Sequence, residues 1–132
     1  LVHGSPYSMD EHLLPDTPQQ RLDDLAKMAH ADIIICGHSH RAFVRRANAT
    51  WFINTGSVGR PDDGDPRACY AILHQAPRQV SVRHFRVEYD LQAAVEGIRR
   101  NQLPESFAQM LLAGRSLDFI QNGDTINSKD DE

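Results

Sequence analysis

The spacing of apolar residues along this chain changes several times, and each change marks a predicted element. Leu1-Val2-His3 reads as the end of a buried strand stopped by Gly4-Ser5-Pro6, and residues 4–16 read as a loop containing Pro6 and Pro15. Asp16 or Thr17 can cap a helix with Pro18 in its first turn. Leu22, Leu25, Met28 and Ala29 then recur at helical spacing, so that helix should end near His30. Asp32-Ile33-Ile34-Ile35-Cys36 is a short apolar run rich in β-branched residues, the pattern of a strand buried on both faces. Strand, helix, strand is a βαβ unit and predicts an α/β sheet.

Beyond Cys36 the apolar positions alternate over shorter runs. Residues 42–46, 50–54, 68–74 and 79–89 read as strands, with Asn48-Ala49 and Ala76-Pro77 at hairpin tips. Helical spacing then returns. Asp90 caps a helix carrying Leu91, Ala94, Val95 and Ile98; Pro104 opens another carrying Phe107, Met110 and Leu111, and Gly114 stops it. From residue 121 the chain is polar and closes on Lys-Asp-Asp-Glu, which predicts a disordered end. No internal repeat and no linker marks a second domain. Residues 1–113 are expected to be part of a single domain, with 114–132 as a flexible tail.

The chain has 132 residues, enough for one core, and its 40% apolar and 24% charged residues are ordinary for a globular domain. The net charge of −4 comes with no basic stripe, so nucleic acid is not an expected partner. A small anionic substrate stays open, because a bound metal supplies positive charge that residue counting misses. Cys36 and Cys69 form no CxxC pair and read as buried thiols in a reducing, cytoplasmic setting. No apolar run nears the roughly 18 residues of a membrane span, and no signal peptide is visible. An opening on Leu1-Val2-His3-Gly4, without Met and inside a strand, predicts that residues upstream are missing. Homo-oligomerisation is left open.

Candidate chemistry sits where strands end. Gly37-His38-Ser39-His40 directly follows the buried strand, and in α/β sheets ligands bind beyond the carboxyl ends of strands. Gly37 is expected to let the backbone turn without a Cβ clash. Two imidazoles one residue apart can reach one crevice, and imidazole suits zinc, manganese and iron; the alternative is a pair of ordinary loop histidines. His3 has the same context, a strand end followed by Gly, so three histidines can meet at one sheet edge. Asn54-Thr55-Gly56-Ser57-Val58-Gly59-Arg60-Pro61 is a second strand-end loop. Its free N–H groups and Arg60 can take phosphate oxygens, or it is a plain turn. Asp62, Asp63 and Asp65 do not have calcium-loop spacing and read as a solvated turn. His12 reads as a loop residue, and His74 and His84 as structural.

Together, His3-Gly4-Ser5-Pro6, Gly37-His38-Ser39-His40 and Asn54-Thr55-Gly56-Ser57 resemble the closing motifs of calcineurin-like metallophosphoesterases, closest to the small bacterial phosphodiesterase-like branch. The resemblance covers roughly residues 1–113. It implies the C-terminal half of a four-layer αββα sandwich with two divalent metal ions, Mn, Fe, Zn or Ni, at one edge. By matching position, His3 and His38 would ligate one metal and His40 the other. Asn54, Gly56, Ser57 and Arg60 would face the substrate, a small phosphomonoester or phosphodiester. The family's D-x-H, GDxxD and GNH motifs are absent, and its catalytic His would lie before Leu1. Ser39 stands where Thr is usual, a mild change. The resemblance leaves a second expectation beside hydrolysis, a non-catalytic scaffold that keeps the fold and binds partners.

Overall fold

The computed structural model describes residues 1–77 and 79–127. Helix α1 (Gln19–Ala29) is followed by β1 (Ile33–Cys36), β2 (Phe43–Ala47), β3 (Thr50–Asn54), β4 (Ala68–Ala76) and β5 (Gln79–Val87). Helices α2 (Leu91–Arg100), α3 (Glu105–Ala113) and α4 (Leu117–Asn127) close the chain. One sheet has the order β1-β3-β2, with β1 parallel and β2 antiparallel to β3. The second is the antiparallel β4–β5 hairpin. The fold is mixed α/β.

Amphipathic spacing decides which faces are buried. Leu22, Leu25 and Ala26 of α1 meet Ile34, Cys36, Phe43, Ala47 and Phe52 of the three-stranded sheet, with Leu13 sealing the edge. Burying one such large side chain stabilises by about 1.5–3 kcal/mol. The β1 run is buried at Ile34 and Cys36 but only half-buried at Ile33 and Ile35, so it is less symmetrically covered than its composition predicts.

Several local expectations are corrected. Thr17 does not cap α1: its hydroxyl accepts from Leu14 N at 2.7 Å, and Pro18 occupies the cap position. Residues 1–3 form no regular strand, although Val2 N donates to Ile35 O at 3.0 Å and the segment lies against β1. Residues 121–127 belong to α4 rather than to a disordered tail. Ser116 precedes that helix: its carbonyl accepts from Ile120 N at 3.2 Å and its Oγ accepts from Phe119 N at 3.4 Å. The polar composition of the residues from 121 on hid the helix. Residues 128–132 of the expected tail lie outside the described residues. Asp90 and Gly114 act as expected: the Asp90 carboxylate accepts from Ala93 N at 2.9 Å, and Gly114 ends α3 in the left-handed region. Among the described residues no helix is long and apolar enough to cross a membrane.

Candidate metal centre

Backbone hydrogen bonds at the end of β1 bring the first two histidines together. The carbonyl of His3 accepts from both Gly37 N and His38 N at 3.0 Å, so residue 3 is tied to the turn after β1. The rings follow: His3 Nε2 lies 2.8 Å from His38 Nδ1. His12 joins them from the 4–16 loop, stacked on His38 with ring centroids 4.2 Å apart and planes 20° apart. No periodicity or spacing marks His12, and the sequence reading missed it. A stacking partner supplied by a loop has no sequence signature.

His40 reaches the same edge by a tight turn. Its N–H donates to Gly37 O at 2.9 Å, and its φ of 56° lies in the left-handed region. Gly37 itself has no positive φ, and a Cβ there would meet nothing within 4 Å. The conformational demand expected at Gly37 therefore falls three residues later, on a histidine. Non-glycine residues held at positive φ cluster at functional sites. His40 Nδ1 donates to Arg60 O at 2.8 Å, so that nitrogen carries the proton and Nε2 keeps its lone pair. The 3.4 Å approach of Arg60 Nε to the same Nδ1 sets donor against donor and is not a bond. His3, His38 and His40 all line one open cavity, with Gly56 and Ser57 on its far side. Partial burial first, then the imidazoles of His12 and His3, holds His38 below the usual histidine value. Burial and then the Arg60 guanidinium do the same for His40. Both rings are therefore biased toward the neutral form that coordinates metals.

The second loop does something different. Asn54 is buried, and its amide is fully engaged: Nδ2 donates to Ser39 Oγ at 2.9 Å and to Gly37 O at 3.3 Å, while Oδ1 accepts from Gly56 N at 2.9 Å. Asn54 therefore joins the two loops and is not placed to touch a substrate, a correction to its expected role. Ser57 Oγ accepts from Arg60 N at 3.0 Å, inside its own turn. Gly56 has φ 76°, and a Cβ would lie 2.8 Å from Cys69 Sγ, so only glycine fits there. Arg60 is exposed beside His40. His84 is structural as expected, donating to Asn54 O at 2.7 Å.

The sequence profile of the calcineurin-like phosphoesterase superfamily domain matches residues 1–77, more than half of the chain. The chain belongs to the calcineurin-like phosphoesterase superfamily. A relative from Methanocaldococcus jannaschii, the uncharacterized protein MJ0912, is 34% identical over 120 residues, covering 80% of this chain and 46% of that protein. The chain thus spans about half the length of this curated relative. Among solved structures, the Pyrococcus horikoshii protein PH1004 matches with a TM-score of 0.75 at 22% identity, covering 87% of this chain and 46% of that one. A metallophosphoesterase from Sphaerobacter thermophilus matches with a TM-score of 0.67 at 26% identity, covering 86% and 53%. Both matches are consistent with about half of the expected α/β sandwich.

Superfamily membership implies divalent metals, so the donors must be tested for fit. Two nitrogens bound to one tetrahedral zinc ion, each at about 2.0–2.1 Å, stand about 3.3–3.4 Å apart. His3 Nε2 and His38 Nδ1, hydrogen-bonded at 2.8 Å, need to separate by only about half an ångström to take one ion between them. His40 offers Nε2 separately, in keeping with a second ion. Among the described residues no group of three or more His, Cys, Asp or Glu is arranged around one ion.

Proposed function

We propose that this chain contributes the second half of the metal-binding edge of a phosphoester hydrolase. His3 and His38 would hold one divalent ion and His40 the other. Divalent ions held there would supply Lewis-acid chemistry to a phosphoryl group, the general chemistry of a two-metal site. The remaining work falls to the chain's own groups. The Arg60 carbonyl fixes the His40 tautomer and so aims its Nε2. The His3 carbonyl clamps Gly37 and His38, holding two imidazoles in register before any ion arrives. The Arg60 guanidinium can take a phosphoryl oxygen by charge-assisted hydrogen bonding. The Asn54 amide locks the two loops so that these positions do not drift.

The observation that carries the reading is the approach of His3 Nε2 to His38 Nδ1, in a superfamily defined by phosphoester chemistry. The test is equilibrium dialysis against Mn²⁺ and Zn²⁺ followed by elemental analysis. The wild-type chain should retain metal that the His3→Ala/His38→Ala/His40→Ala variant does not. Equal retention by the two proteins would overturn the reading. In the full-length protein with Mn²⁺ present, hydrolysis of bis(p-nitrophenyl) phosphate should fall on the order of 100-fold or more in His38→Ala. Metal retention by the full-length protein with no turnover of phosphoesters would favour the scaffold instead.

A further inference from the structure

A second cavity, of about 420 Å³, adjoins the histidine edge on the side away from the β4–β5 hairpin. Its volume falls in the range of small-molecule sites, about 300–1,000 Å³. Its walls come from separate parts of the chain: the loop at His12, the turn after β1 with His38 and His40, which it shares with the first cavity, the loop after β3, and the α3–α4 junction. Three guanidiniums line it, those of Arg41, Arg60 and Arg115, against two carboxylates, Asp62 and Asp118.

The pairing of these charges is uneven. Asp62 is engaged twice: Oδ2 lies 3.3 Å from Arg41, and Oδ1 accepts from Ser116 N at 2.7 Å. Arg60 and Arg115 form no ion pair with any carboxylate among the described residues, and neither does Asp118. Arg21, Arg67, Arg86 and Arg99, by contrast, are committed to carboxylates. Arg115 is nonetheless held in place. Its guanidinium lies over the Phe119 ring at 5.0 Å from the centroid. On another side it packs against Gly64, where an added Cβ would come within 2.8 Å of Nη2. The backbone fixes the same junction, with Gly64 N donating to Gly114 O at 2.9 Å. A fork-shaped cation, oriented by a ring and a glycine and given no carboxylate partner among the described residues, is preorganised for an anion.

We propose that this cavity takes a second anionic group, phosphate or carboxylate, of the molecule whose phosphoester lies at the histidines, with Arg115 as its recognition residue and Arg60 standing between the two groups. Calling that molecule a substrate rests on the phosphoesterase reading; the anion site does not. Arg115 thereby becomes a specificity-determining residue contributed by the α3–α4 junction, outside all three histidine and glycine motifs.

The probe is inorganic phosphate, titrated in chelator into the isotopically labelled chain and followed by amide and arginine Nε resonances. Saturable shifts are expected at Gly64, Ser116 and the Arg115 side chain. Arg115→Ala should weaken binding about tenfold, the loss of one charge-assisted pair. Arg115→Lys, which keeps the charge and loses the fork, should fall between, and dispersed amide spectra of both variants confirm folding. Asp118→Asn should tighten binding about twofold by removing a like charge from the rim. Arg100→Ala serves as the control for general charge, since Arg100 is exposed on α2 and away from the cavity. The proposal is overturned if shifts fall outside the cavity, if binding does not saturate, or if Arg100→Ala weakens it as much as Arg115→Ala. Metal uptake by the wild-type chain is measured separately. Phosphate binding without metal uptake sinks the phosphoesterase reading alone, and metal uptake without phosphate binding sinks only the anion site.

Discussion

The turn Gly37–His40 and the loop Asn54–Arg60 carry similar residues, and the fold uses them in opposite ways. Both follow strands of the same sheet and both combine glycine with small polar residues. In the first, the side chains of His38 and His40 line the cavity and the backbone holds them there. In the second, the Asn54 amide and the Ser57 hydroxyl turn inward and bond to the loops themselves. One loop presents chemistry and the other braces it. Ser39 shows where they meet, donating to Leu13 O at 2.7 Å while accepting from Asn54.

The largest effect that separates the two roles belongs to Asn54. Asn54→Ala removes three hydrogen bonds in a buried setting and orphans Gly56 N, while Gly37 O keeps the His40 N–H. An orphaned group costs about 1–3 kcal/mol, so a loss of about 2 kcal/mol is expected, read from urea midpoints at constant m. His38→Ala on the same scale should change stability by no more than about 0.5 kcal/mol, because that ring contributes no buried packing. Equal destabilisation by the two substitutions would break the distinction between a presenting and a bracing loop.

The motif residues were legible in the sequence because their chemistry is local to short strings after strands. Three imidazoles at strand ends were expected to meet, and they do line one cavity. The roles inside the strings were less legible. Asn54 and Ser57 look alike as phosphate ligands until burial and partners are known, and positive φ fell on His40 rather than on Gly37. Helix α4 was obscured because its later residues are polar and its start depends on Ser116. His12 and Arg115 were not visible as site residues at all. Each is brought in by a long-range contact, a stack on His38 and a seat against Gly64, that leaves no periodic trace.

A smaller effect belongs to His12, which stands between the two roles: it presents a ring, yet to another ring. His12→Ala should leave stability within about 0.5 kcal/mol of wild type, since the residue is exposed. Metal affinity should fall roughly threefold to tenfold through looser positioning of His38, less than on removing His38 itself. Isothermal titration with Zn²⁺ reads the difference. Unchanged affinity would make the stack incidental.

The smallest effect tests how the His12 loop is itself braced. Glu11, next in sequence to His12, accepts from Arg21 of α1 at 2.7 Å and 2.9 Å and also takes the Ser5 hydroxyl. Ser5 Oγ in turn accepts from Tyr7 N at 3.0 Å and Ser8 N at 3.1 Å, so one carboxylate organises both ends of the loop. Arg21 is the leading cause that lowers the Glu11 pKa, with burial opposing and Ser5 adding. A lowered folded value means that ionised Glu11 stabilises the fold above its unfolded pKa, near 4.5. That contribution is lost as pH falls through the folded value. Because the pair is partly solvated, it is worth less than about 1 kcal/mol. Glu11→Gln should therefore be slightly less stable than wild type at pH 7, and the gap should narrow progressively in acid below pH about 4.5. Urea melts of both proteins at the two pH values measure it. A gap that widened in acid would mean that Gln, not Glu, is the poorer partner for Ser5, and that the loop is held from Ser5 rather than from α1.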